Sequence, residues 1–343
     1  MKHNQVKILI DPRARMVFAS WYLKGMYDLF GRQHVKFSRK PFEGLEQRDD
    51  PEAFDHYMAL LYRDGTGEKR VVIDFRDKDS INPTAWQWCE IYGKINVNPG
   101  NTDPKYMEKI VRLGPMIGIN LWNRPGTLVR FLRNYRAGKG NLSVSRRYFL
   151  AGYTWQLRRP KLSEYEPVVP ESDYIFFDSQ LWTEENDAKA TNAWRAAFIR
   201  TCKSLDTTFQ GGLFANRDHP DYGIYEDLML SEFITTDEYV RRIKRSTLVF
   251  NTPSCHHGHG WKLGEFLAMG KAMVSTPIIN DLPRPLEHGK HLHLVENEEE
   301  IREAVIRITG DPAYRESLEQ GAREYYNTYM TPSRVIRRLL GLT

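Results

Sequence analysis

Apolar residues in this chain recur in two rhythms that take turns. Short continuous runs at residues 6–10, 70–75 and 91–97 read as buried strands. Between the first two, Val17, Trp21, Met26, Leu29 and Phe30 fall at helical spacing and stop at Gly31, so 17–30 reads as a helix. Residues 35–37 add a short strand, 54–62 a helix or helix end, and 116–119 one further strand. Strands that alternate with helices predict a parallel sheet with helices on both faces.

Prolines 167 and 170, with Glu164, Glu166 and Glu171 around them, mark 161–171 as a boundary. The pattern then restarts. Residues 174–177 and 208–213 read as strands, 186–203 as a long helix, and 235–244 as a helix whose Thr-Thr-Asp-Glu start suits a cap. Helices follow at 298–308, 312–326 and 332–340. Two Rossmann-like halves with a cleft between them are therefore expected, with ligands at the carboxyl ends of the strands.

The most informative stretch is 250–276, FNTPSCHHGHGWKLGEFLAMGKAMVST. A strand over 247–250 runs into a loop with Pro253, Ser254, Gly258 and Gly260. A helix over 261–269 follows, stopped by Gly270, and then a strand over 272–275. The first N–H groups of a helix have no internal partner and carry partial positive charge, which suits an anion. Lys262 lies in that first turn, and Trp261, Lys262 and Glu265 share a face. A carboxylate there suits sugar hydroxyls, and the cation suits phosphates. Strand–loop–helix units occur in every α/β protein, and a Lys and a Glu three apart are often a solvated pair.

Composition narrows the class. With 343 residues, 41% hydrophobic and 27% charged, the chain suits two soluble domains. No apolar run comes near the roughly eighteen residues a spanning helix needs. Three cysteines at wide spacing fit a reducing cytoplasm, so the expected location is cytoplasmic. The net charge of +5 is uneven: residues 130–161 hold nine Lys or Arg and no Asp or Glu, interleaved with six aromatic residues. Such a stretch fits an anionic acceptor, an anionic membrane face or nucleic acid. It equally fits a solvated basic surface over an aromatic core. The expectation taken is an anionic acceptor or peripheral contact with the inner membrane face, with no nucleic acid bound. No G-x-G-x-x-G follows the first strand and no P-loop is present, which argues against a dinucleotide oxidoreductase and a P-loop nucleotidase.

Residues 245–326 resemble the C-terminal half of GT-B glycosyltransferases, closest to the large retaining group called family 4, with some likeness to exostosin-type enzymes. The resemblance is carried by Glu265-Phe-Leu-Ala-Met-Gly-Lys-Ala-Met-Val274, by 280–289 (NDLPRPLEHG), by 295–301 (VENEEEI), and by 310–315 with 322–326. It implies the GT-B fold, α/β with two Rossmann-like domains facing across a cleft. Residues 1–165 would form the acceptor-side domain and 166–328 the nucleotide-sugar domain, with a helix in 329–343 packing back on the first. It implies sugar transfer from a nucleoside-diphosphate sugar to a hydroxyl of a glycan or lipid-linked acceptor, with no cofactor and no bound metal. Glu265 would hold ribose hydroxyls. Ser254, Gly258, Gly260, Trp261 and Lys262 would face the donor sugar and diphosphate. Seven residues before the ribose Glu the family often carries a second Glu. That position here is Gly258, flanked by His257 and His259, which become the catalytic candidates and leave retaining against inverting open.

Other candidates are weaker. His257/His259 and His291/His293 are H-x-H pairs, but no recognised zinc pattern accompanies them. The plainer reading of His291 and His293 is one face of a strand over 290–295. Asp77, after the strand at 70–75, would be the base of an inverting transferase, although loop capping explains it as well. Asp11 is a similar, weaker candidate. A non-catalytic nucleotide-sugar or nucleic-acid binder remains the alternative of another class.

Overall fold

The computed structural model describes residues 6–45, 57–138, 142, 145–183 and 188–342. Contacts divide the chain into two units. Unit 1 comprises Met1–Leu162, Asp281–Pro283 and Tyr329–Thr343, and unit 2 comprises Ser163–Asn280 and Arg284–Thr328.

In unit 1 the strands are β1 (Lys7–Ile10), β2 (Val35–Phe37), β3 (Tyr57–Asp64), β4 (Gly67–Asp74), β5 (Ile91–Lys94) and β6 (Ile110–Arg112). They form one sheet in the order β2-β1-β3-β4-β5-β6. The pairs β1–β2, β4–β5 and β5–β6 are parallel, while β3 runs antiparallel to both neighbours. The helix expected at 54–62 is thus a strand over the part that is described. It closes a hairpin with β4 through Gly65 and Thr66, and the sheet is mixed rather than wholly parallel. Residues 116–119 form no strand, although Met116, Ile117 and Ile119 are buried.

Period-two alternation gives this sheet two apolar faces. Leu9, Ala59, Leu61, Val72 and Tyr92 pack with Phe42, Leu45, Ala85 and Cys89 on one face. The other face carries α1 (Met16–Phe30) and the C-terminal α10 (Pro332–Leu340), which pack on each other. That contact needs Gly25, where a Cβ would come within 2.2 Å of the Pro332 carbonyl oxygen. Gly93 on β5 similarly makes room for Leu339. The remaining helices of unit 1 are α2 (Pro83–Trp88), α3 (Arg124–Gly138) and α4 (Arg146–Thr154).

In unit 2, β7 (Tyr174–Gln180) pairs parallel with β8 (Thr208–Phe214), and β9 (Val249–Asn251), β10 (Met273–Ser275) and β11 (His293–Leu294) form a second parallel group. The groups meet where Thr247 N donates to Tyr174 O at 2.7 Å and Phe176 N donates to Ser246 Oγ at 2.9 Å. Ile175, Phe177, Phe250 and Val274 pack against α5 (Ala188–Ser204) and α8 (Glu298–Gly310) on one face, with Phe198 stacked on Phe250 at 4.4 Å. Helices α6 (Thr236–Arg245), α7 (Trp261–Ala268) and α9 (Pro312–Tyr325) complete the unit. Among the described residues no helix is long and apolar enough to cross a membrane.

Candidate functional site

The carboxyl ends of β7 and β9 lie next to the N-terminus of α7 in unit 2. Gly260 precedes α7 and gives its first turn no side-chain cap, so the N-cap residue itself leaves the helix's positive dipole end to other partners. Lys262, in that turn, donates to the carbonyl of Asp178 in β7. Its ammonium also sits 5.6 Å from the Phe177 ring and 5.5 Å from the Tyr239 ring. The residue is only partly buried, but its charged tip is enclosed. Burial lowers its pKa to about 8, helped by nearby Arg195 and opposed by Asp178.

Arg195 is the residue that sequence reading missed. It comes from the middle of α5, is 5% exposed, and spans the two strand ends. Its Nη1 donates to Gln180 O at 2.6 Å and its Nε to Thr252 Oγ1 at 3.0 Å. Its burial at the ends of two strands was its signal, and spacing along the chain does not carry that.

Glu265 faces into the unit from the next turn of α7 and is 2% exposed. Tyr165 Oη donates to its Oε1 at 3.4 Å. A solvated Lys262/Glu265 pair is therefore not what the fold builds. Lys262, Arg195 and Glu265 all belong to the same strand-end region. Its pattern is two cations and a buried carboxylate around a helix N-terminus.

The loop before α7 is tightly held. His256 and His257 both have left-handed backbone, with φ of 57° and 55°, which costs roughly 1–3 kcal/mol at each non-glycine residue. Ser254 closes the turn, its N and Oγ both donating to Gly258 O at 2.9 and 3.1 Å. Asn280 Nδ2 donates to His257 O at 2.9 Å. His257, Gly258, His259 and Gly260 line a small pocket with Asn251 and Thr252. His259 is 5% exposed and His257 half-buried. Trp261 is half-buried at the start of α7.

His291 and His293 do not join this site. His291 Nδ1 accepts from Glu287 N at 2.9 Å, and His293 Nδ1 lies 2.8 Å from Tyr314 Oη. Burial lowers the pKa of both, His293 to about 4, so they serve as neutral packing groups. Among the described residues, no three His, Cys, Asp or Glu side chains are grouped as metal ligands.

In unit 1, Asp77 is exposed in the turn after β4. The buried carboxylate there is Asp74. It accepts from Arg76 Nη2 at 2.7 Å, Tyr92 Oη at 2.6 Å and Lys94 Nζ at 3.3 Å. Burial pushes its carboxyl up, but Lys94 and Arg76 outweigh that and hold it well below the usual carboxylate range. Asp74 is therefore a structural anion rather than a base. In the basic stretch, Phe131, Phe149 and Tyr153 form a buried aromatic cluster, with Phe149 and Tyr153 5.0 Å apart. Arg133, Arg136, Arg146 and Arg147 stay exposed. Of the six aromatics only these three are core, while Trp155 is exposed and Arg146 lies 5.7 Å from the Tyr135 ring, so the aromatic core and the basic surface meet at Tyr135.

Residues 195–341 match the family model described as glycosyl transferase-like. No curated protein matches the sequence. Among solved structures, the C-terminal domain of a glycosyl transferase group 1 family protein from Francisella tularensis is similar at 15% identity and a TM-score of 0.37, covering 49% of this chain and 96% of that one. A glycosyltransferase from Rickettsia africae is similar at 10% identity and a TM-score of 0.40, covering 78% and 83%. Sucrose-phosphate synthase from Thermosynechococcus elongatus is similar at 12% identity and a TM-score of 0.39, covering 73% and 87%. The family-model match makes residues 195–341 similar to glycosyl transferase-like proteins, and this segment holds most of unit 2, from Arg195 onward.

Proposed function

We propose that this chain is a glycosyltransferase that takes its sugar from a nucleoside diphosphate held by unit 2 and passes it to a hydroxyl of a glycan or lipid-linked acceptor taken by unit 1. The observation that carries this is the convergence of Arg195, Lys262 and Glu265 at the ends of β7 and β9, inside the family-matching segment. Arg195, Lys262 and the α7 N-terminus offer the diphosphate a positive surface, which also stabilises it as it leaves. Glu265 accepts hydrogen bonds from the ribose hydroxyls. Two cations supply the charge that a divalent ion would otherwise bring, so the reading is of metal-independent transfer. The family resemblance supports a retaining outcome. The test is incubation with a panel of nucleoside-diphosphate sugars and acceptors in the presence of EDTA, with the anomeric configuration of any product read by NMR. Transfer that stops in EDTA, or an inverted product, would count against the corresponding part.

His257 and His259 are read as contacts to the donor sugar, because their loop continues from the diphosphate end of the site. Replacing either with alanine is expected to lower turnover roughly a hundred- to a thousandfold, within the range for one positioned donor or proton-transfer group. Affinity for the bare nucleoside diphosphate, which has no sugar, should change far less. Full transferase activity in both variants would make the loop structural.

The exposed cations of α3 and α4 are read as the place where an anionic acceptor or membrane face meets unit 1. Vesicles with anionic lipid should bind the chain more tightly than neutral ones, and salt should weaken the difference. Tight binding to any oligonucleotide with none to vesicles would reverse this assignment.

A further inference from the structure

Among the described residues, the carboxyl ends of β1 and β2 in unit 1 bury Arg13 and Arg39 against one carboxylate, Asp11. Asp11 follows β1, is 3% exposed, and is taken up by Arg13. Its Oδ1 accepts from Arg13 N and Nε, both at 3.0 Å, and its Oδ2 accepts from Nε at 2.9 Å and Nη2 at 2.5 Å. Arg13 Nη2 also donates to Leu45 O at 3.3 Å. That pair is complete. Arg39 lies two residues past β2 and is 8% exposed, yet among the described residues its buried Nε and Nη1 have no hydrogen-bond partner. Burial lowers its pKa, and the Arg13 charge lowers it further. Asp11, Glu43 and Tyr57 act in the opposite sense. Arg39 Nε and Nη1 bond to none of those three.

Guanidinium donors out of water and without acceptors are strongly unfavourable, more so beside a second cation. The planar fork matches an oxyanion, to which it can offer two parallel N–H groups. The place also suits a ligand, since open α/β sheets bind theirs at the carboxyl ends of strands.

We propose that Arg39, with Arg13 behind it, is an oxyanion site that takes the phosphate or carboxylate group of the acceptor. This rests on the reading that unit 1 receives the acceptor, and it narrows that acceptor to one carrying a negative charge near its reactive hydroxyl. The site is distinct in chain and fold from the diphosphate contacts of unit 2.

The test is thermal unfolding of the full chain in inorganic phosphate and, as the carboxylate arm, acetate, each against sodium chloride at matched ionic strength. Wild type and Arg39→Gln are compared, with and without nucleoside diphosphate, because Arg195 and Lys262 also attract phosphate. In wild type, one or both anions should raise the unfolding temperature beyond chloride. Arg39→Gln should lose that increment and keep the full nucleoside-diphosphate response. Without added anion Arg39→Gln should be at least as stable as wild type, since it removes an unpaired buried charge. Arg39→Lys keeps the charge without the fork, and about a tenfold loss of anion affinity is expected, matching the loss of one charged hydrogen bond. If Arg39→Gln does not fold, Arg39→Lys decides the matter. Anion responses identical in wild type and the folded variants would overturn the site. An Arg39-dependent anion response with no response to any nucleoside diphosphate would uphold this site and refute the donor reading instead.

Discussion

Replacing Lys262 with methionine should remove about 2–5 kcal/mol of nucleoside-diphosphate affinity, the cost of truncating one partner of a desolvated charge pair. It should also remove a proton from the binding reaction. The native pKa of Lys262 is lowered to about 8 by burial, below its ordinary 10.5. The native state therefore holds the charged form at a cost that is fully present below pH 8 and is relieved as pH rises from 8 to 10.5, so this residue's contribution to stability improves across that window. A diphosphate beside the ammonium favours the charged form and raises the pKa again. Binding measured near pH 8–9 should take up a fraction of a proton, seen by calorimetry in buffers of different ionisation enthalpy. Uptake should vanish in Lys262→Met. Equal uptake and equal affinity in the variant would remove Lys262 from the diphosphate site.

Glu265→Ala should weaken the same ligand by about 1.5–3 kcal/mol, the range for a hydrogen bond to a charged group, or roughly ten- to a hundredfold. The side chain is buried and accepts from Tyr165 Oη, so the alanine also leaves that hydroxyl without this acceptor. Glu265→Gln separates the two effects. Its amide oxygen can keep the Tyr165 contact while the carboxylate is gone. Stability near wild type together with reduced nucleotide affinity is the expected pattern for glutamine. Calorimetry showing unchanged affinity in both variants would mean that Glu265 only supports the packing of α7.

The parts of this site that were legible in the sequence are the local ones. Strand, loop, glycine and helix start follow one another in 250–276, so β9, α7, β10 and the positions of Lys262 and Glu265 follow from period and punctuation. Arg195 was not legible, because a mid-helix arginine looks the same whether it faces water or the ends of two strands. Tertiary packing of α5 alone sends it to Gln180 O and Thr252 Oγ1. The misread strand β3 has a similar origin. A strand buried on both faces, with Met58, Ala59, Leu60 and Leu61 all inside, shows no alternation and is hard to tell from a buried helix turn. The Asp64-Gly65-Thr66-Gly67 turn was the better guide, as a short glycine-bearing loop after an apolar run favours a hairpin. Arg39 was invisible for the same reason as Arg195: its burial and its unpaired donors exist only once β1 and β2 lie side by side.

Unit 2 is expected to bind a nucleoside diphosphate at the ends of β7 and β9. Hydrogen exchange read by mass spectrometry, with nucleoside diphosphates added in EDTA, tests it most directly. At least one of them should slow exchange in residues 252–265 and around Arg195, with the change reduced in Lys262→Met. No protection by any nucleoside diphosphate, or protection confined to unit 1, would contradict it.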